Sequence, residues 1–246
     1  MKRFVQVALL VLSGSGVLRV SLFSEAYLRY VKEGMRPLLI ASGVLLILLG
    51  AAEAWSARRP AERPAEDGDG HGHDHSGVPR VAWLLFLPAL SLLFYAPPAL
   101  GSYTASREAP KAVAVVAEDG FDPLPATSPL PITLTDFTQR VQQDEARAIQ
   151  GRTVRMTGFV TPAGEGGGWY LTRIMLSCCA ADAQSVKVRV YGVQAPKADT
   201  WVTVTGTWHA QGTLGTSSAA VALDGRTVAE VERPVNGYTD ALPLGS

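Results

Sequence analysis

The feature that most constrains this chain is how unevenly its apolar residues are spread. Three blocks almost free of charge stand in the first hundred residues, at about 4–23, 37–55 and 81–100. A helix of roughly 20 residues, rising about 1.5 Å per residue, covers the hydrocarbon core of a bilayer. Each block is therefore long enough to cross one. The second, PLLIASGVLLILLGAAEAW, begins at Pro37, has no charge before Glu53 and ends on Trp55, whose indole suits the interface. The third, VAWLLFLPALSLLFYAPPAL, carries no charge, and Trp83 and Tyr95 lie toward its ends. Pro88 would kink it, and Pro97-Pro98 would end it. Arg19 interrupts the first block, but near enough to one end for its guanidinium to snorkel to the headgroups. Ser13, Gly14, Ser15 and Gly16 offer a stripe of small residues for close helix packing. A cleaved signal peptide is the competing reading of this block, with Lys2 and Arg3 ahead of Phe4 to Leu12. No Ala-x-Ala sequence follows it closely enough to serve as a cleavage site, and a retained span is the preferred expectation.

Lys2 and Arg3 precede the first block, and Arg58, Arg59, Arg63 and Arg80 flank the loop after the second. The positive-inside rule then puts the N-terminus inside, and three crossings put the chain beyond Leu100 outside. The expectation is a multi-pass protein of the cell membrane, in contact with lipid, with an extracytoplasmic C-terminal domain.

The loop at 56–80 is rich in Pro, Gly, Asp and Arg and has no apolar period, as a solvated connection should. It holds His71, His73 and His75 with Asp67, Asp69 and Asp74 close by. Alternating imidazoles and carboxylates suit zinc or another divalent metal, although a loop without a fixing shell binds loosely. The plain alternative is a polar loop whose histidines only titrate near neutrality.

Residues 101–131, rich in Pro, Ala, Ser and Thr, read as a linker. Thr133-x-x-Asp136 then resembles a helix N-cap, and Leu134, Phe137, Val141, Ala148 and Ile149 supply an apolar face before Gly151 stops the helix. Alternating runs follow at 152–160, 169–177, 186–192 and 201–209, with a strand or hairpin at 219–232. Their period of two and the turn residues between them predict a small OB-like five-stranded β-barrel over 132–235, with a tail at 236–246; an SH3-like barrel or a small sandwich is the alternative. The fold class is thus an α+β membrane protein, with three N-terminal transmembrane helices over 1–100 ahead of the barrel.

Composition decides two further points. The 22 Lys and Arg balance 22 Asp and Glu, so nothing favours a nucleic-acid partner, even with Tyr170, Tyr191, Trp201 and Trp208 on the strands. Nor does any Gly-x-Ser-x-Gly elbow, phosphate-binding loop or His-Glu-x-x-His motif point to an enzyme. The chain has two cysteines, Cys178 and Cys179, side by side at the end of the second strand. In a regular strand they would point to opposite faces, but where the chain turns into Ala180-Ala181-Asp182 that restriction loosens. With Asp182, and His209 from the fourth strand, the thiols would make ligands for zinc or copper. Three other readings stand beside this one: buried small apolar residues, a strained vicinal disulfide, and a redox pair.

Several of these residues together resemble the YcgQ-like permease-subunit family. They are Pro97-Pro98-Ala99-Leu100-Gly101-Ser102 at the exit of the third block, and Arg173, Cys178-Cys179 and Ala181-Asp182-Ala183 in the terminal domain. Gly158-Phe159-Val160 and the run Trp201-Val202, Val204 and Gly206 resemble the same family's strands. The resemblance implies a bacterial membrane protein paired with a larger, multi-span membrane permease, and its His-rich loops imply a link to zinc. The expected function is a non-enzymatic accessory subunit that binds a divalent metal through its barrel and His loop. The alternatives are an extracytoplasmic thiol-redox protein using Cys178-Cys179, and a purely structural anchor for a permease.

Overall fold

The computed structural model of the protein describes residues 2–58, 100–108, 120–164, 166–234 and 237–242. The third apolar block up to Ala99 and the loop histidines His71, His73 and His75 lie outside them. The chain forms two units. One contains the long helices; the other joins Leu28–Met35 to the chain from Leu100 onward.

In the first unit, helix α1 spans Lys2–Phe23 and α2 spans Arg36–Arg58. The segments Phe4–Phe23 and Glu33–Ser56 are long and apolar enough to cross a membrane. The helices meet on glycine. A Cβ on Gly14 would stand 2.7 Å from the carbonyl oxygen of Gly43, and one on Gly50 2.9 Å from Cγ2 of Val11. Such close approach maximises dispersion contact between helices that gain nothing from excluding water in lipid. Gly16, from the same predicted stripe, faces open space. At the turn, the Arg36 Nε–H donates to the Ser21 carbonyl at 2.9 Å, satisfying one of the acceptors that the end of α1 leaves over. Leu12, Phe23, Leu38 and Leu48 stay exposed, the side chains that lipid would cover.

The second unit is a six-stranded mixed sheet of β1 (Leu130–Pro131), β2 (Thr153–Pro162), β3 (Trp169–Met175), β4 (Gln184–Tyr191), β5 (Trp201–Trp208) and β6 (Ala222–Glu230). The order is β1-β2-β3-β4-β6-β5, with β5 also paired to β2. The β1–β2 and β4–β6 pairs are parallel and the rest antiparallel. All five strands expected from alternation are present, and 219–232 yields one strand rather than a hairpin. The inward positions are Val154, Met156 and Val160 on β2, Val186, Val188 and Val190 on β4, and Val202 and Val204 on β5. Gly158 breaks the β2 series for a steric reason: its Cβ would lie 2.7 Å from the Thr172 carbonyl oxygen, where β2 passes from β3 to β5.

Helix α4 (Leu134–Gln143) begins as expected, with the Asp136 N–H donating to the Thr133 Oγ1 at 3.0 Å. It ends earlier than expected. Asp144 accepts hydrogen bonds from the Ala146 and Ala148 N–H groups, so the chain turns there while Ile149 still reaches the core. The predicted linker contains an element that its composition did not suggest. Residues Ser102–Arg107 form a short helix, α3, with Ser102 and Ala105 buried. The Ser102 N–H and hydroxyl donate to the Asp199 carboxylate at 2.6 and 2.7 Å. Lys187 donates to the Ala105 and Glu108 carbonyl oxygens, which accounts for an ammonium buried on the sheet. Its desolvation there holds its pKa below the usual lysine value.

Candidate metal centre

Strand β3 stops at Met175, and the chain then bends through Ser177, Cys178 and Cys179 into a single 3₁₀ turn, Ala180–Asp182. Asp182 makes the bend. One carboxylate oxygen accepts the Ser177 N–H at 2.9 Å, the other the Cys178 N–H at 2.7 Å. A carboxylate that takes two N–H donors from residues just before it closes a tight local loop. Cys178 and Cys179 therefore lie outside the regular strand that would have split them between faces. Their sulfurs and a carboxylate oxygen of Asp182 all lie within 4.8 Å of one another. Both thiols are free and half-buried.

The electrostatics follow from the geometry. The Cys178 thiol is pushed up to about 11, first by its hydrogen bond to the Asp182 carboxylate and next by that to Cys179. Asp182 is held below the usual carboxylate range by the same thiol hydrogen bond, against the opposing effect of desolvation. A raised thiol pKa means that the proton is retained at neutral pH, so the reactive thiolate is scarce. In a Cys179→Ser background, which removes the second of these causes, alkylation of Cys178 should still be slow at pH 7 and rise about tenfold per pH unit, levelling below 11 but above the ordinary thiol value. Asp182→Asn should speed the reaction at pH 8, because it weakens the hydrogen bond that most favours the protonated thiol and removes the charge behind it. A profile levelling near the ordinary thiol value would contradict this reading.

These three residues fit a borderline or soft ion. Two thiolates and one carboxylate are common zinc donors, and three protein donors leave one tetrahedral position open. Binding would displace the thiol protons, so affinity should rise with pH.

Of the other predicted ligands, His209 is the one within the described residues. His209, just past β5, has Nδ1 at 2.7 Å from the Asp224 carboxylate and its ring 4.7 Å from that of Tyr191. It is not part of the cysteine group. Imidazole and carboxylate there form a partly exposed pair on the sheet.

Two neighbours escaped the sequence reading. The first is the segment ahead of α2. The Lys32 N–H donates to the Cys178 carbonyl at 3.0 Å, and the Ala180 N–H donates to that of Tyr30 at 2.6 Å. Val31 and Cys179 thereby form an antiparallel bridge. The second is the setting of Arg173. Its guanidinium is 1% exposed, lies 4.9 Å above the Trp201 ring, donates to the Ala241 carbonyl at 2.9 Å and has Nε 3.8 Å from the Asp240 carboxylate. Among the described residues its Nε–H and Nη1 find no hydrogen-bond acceptor, and desolvation lowers its pKa. An open cleft of about 350 Å³ lies between the two neighbours, lined by Lys32, Met175, Ser177, Gln184, Tyr238 and Asp240 among others.

No curated protein and no solved structure matches the chain. Residues 129–239, which include the whole sheet and all three members of the cysteine group, match the family described as the DUF1980 C-terminal domain, a match compatible with a YcgQ-like family.

Proposed function

We propose that this protein is a membrane-anchored accessory subunit of a two-component permease, and that its terminal domain takes a divalent ion such as zinc at Cys178, Cys179 and Asp182. The observation that carries the metal reading is the convergence of three donor atoms within 4.8 Å on one short turn. The open fourth position would accept water, cargo or a donor from the partner. The permease partner rests on the family resemblance and on two apolar helices whose exposed leucines and phenylalanines suit lipid or another helix bundle. Few ionisable groups interrupt these helices, so a companion role suits them better than an ion path of their own.

The terminal domain reads best as an OB-like barrel. Its pairings run β2-β3-β4-β6-β5 and return to β2, with the parallel β4–β6 contact that such a closure needs. An extracytoplasmic position has one support beyond the positive-inside rule. The turn between the two apolar helices is hydrogen-bonded to the cysteine segment, which supports a place for both on the same side of a bilayer. With the N-terminus inside, that side is outside, and the apolar sequence of the block at 81–100 would serve as the third crossing. A thiol-redox role would not start from Cys178, whose proton is held, since disulfide exchange begins from a thiolate.

The test is a zinc titration of the full-length protein in detergent against a chromophoric chelator. One equivalent should bind tightly, and the double variant Cys178→Ser, Cys179→Ser should lose it. His71, His73 and His75 are replaced in parallel; they should remove only weak, fast-exchanging zinc. If the double cysteine variant binds as the parent does, the centre is not at this turn.

A further inference from the structure

We infer that Tyr30, Val31 and Lys32 are positioning residues of the cysteine centre, and that ion binding there is coupled to docking of this segment. The inference rests on the metal reading above and adds how the site is regulated. Strand β3 has ended before Cys178, and the nearest sheet-like contact beyond it is the Leu176 N–H donating to the Tyr238 carbonyl at 3.2 Å. From Cys178 to Ala180 the backbone is held on one side by its own turn. The Asp182 carboxylate takes the Cys178 N–H, and the Asp182 N–H donates to the Cys179 carbonyl at 3.1 Å. On the other side it is held by Tyr30 and Lys32, whose two hydrogen bonds flank Cys179. Cys179 itself is fully extended, with φ −154° and ψ 176°.

That conformation sets the direction of its Cβ, and so whether the two sulfurs converge on one ion. Docking of Tyr30–Lys32 and ligation of the ion both select the same extended Cys179 backbone. Two events that favour one conformer must strengthen each other, by the same factor in either direction. The docking segment lies outside the matched domain at 129–239, and it joins the two apolar helices. Ion occupancy at the turn would thereby be read by a short segment of the membrane hairpin, and changes in that segment would load or unload the ion.

The experiment uses the full-length protein in detergent with zinc as the probe. Amide hydrogen exchange is followed in peptides covering residues 28–35 and 176–183, with and without the metal. Saturating zinc should slow exchange in both peptides, and the double cysteine variant should show no change in either. Lys32→Pro removes the N–H that donates to Cys178, and should weaken zinc binding by about tenfold or more, within the usual range of coupling between linked sites. Cobalt substituted for zinc gives a second readout: its thiolate charge-transfer band should weaken in Lys32→Pro while the thermal transition of the sheet domain stays in place. Zinc that binds in a cysteine-dependent way, yet leaves exchange at 28–35 unchanged and binds Lys32→Pro equally well, overturns the coupling and leaves the centre standing. Absence of cysteine-dependent zinc binding in the parent overturns both.

Discussion

Asp240→Ala is expected to destabilise the sheet domain by about 3–5 kcal/mol, the usual cost of leaving a buried charge without its partner. The side chains of Arg173 and Asp240 are 1% and 3% exposed, with Nε 3.8 Å from the carboxylate. Among the described residues, Asp240 and the Ala241 carbonyl are the groups that compensate the desolvation of the guanidinium, with the Trp201 ring beneath it. The same carboxylate accepts the N–H groups of Leu134 and Thr135 at 3.3 and 2.6 Å, which open α4. Its removal therefore strands a cation and two helix donors at once. Arg173→Met should cost less, because Asp240 would keep both helix donors and the favourable end of the helix dipole. Denaturant unfolding followed by tryptophan fluorescence measures both variants. An Asp240→Ala cost below that of Arg173→Met would show that the helix cap matters little.

Phe137→Ala should lower stability by a similar amount, about 3–5 kcal/mol, for a different reason. Phe137 is fully buried on α4 and joins the cluster that contains Leu130, Ile132, Val141, Ile149 and Leu171. Its loss leaves a void between helix and sheet that rigid strands cannot close, so the cost is transfer free energy plus an unfilled cavity. Phe137→Leu retains most of the volume and should cost less than about 1.5 kcal/mol if the core repacks. Equal losses for the two variants would mean that ring shape, rather than filled volume, holds α4 in place.

The strands were legible because each carries its own period. Val186, Val188 and Val190 announce a buried face without help from any other part of the chain. Strand β1, only Leu130–Pro131, is too short to carry a period and exists because β2 offers it a parallel edge. Helix α3 was hidden in a stretch read as linker, since its burial depends on Lys187 and Asp199 far along the chain. Helix α4 was drawn too long because Ala148 and Ile149 continue its apolar period, while the stop comes from the Asp144 side chain. In the candidate site, Cys178, Cys179 and Asp182 could be grouped because they are near in sequence and chemically matched. The distance from that group to His209, and the partnership of His209 with Asp224, depend on strand register and left no local sign. Tyr30–Lys32 was illegible in principle. Its bonds run through main-chain N–H and C=O groups, which every residue has.

The Val31–Cys179 bridge bears on how the terminal domain behaves once severed from its hairpin. A soluble product starting after the apolar helices would present one bare acceptor at Cys178 and one bare donor at Ala180, spaced to receive any extended peptide. Raw edges of this kind recruit borrowed strands from neighbouring molecules. Clumping of such a product would therefore report a missing piece of its own chain, and a short peptide reading Tyr-Val-Lys supplied in trans is the natural remedy.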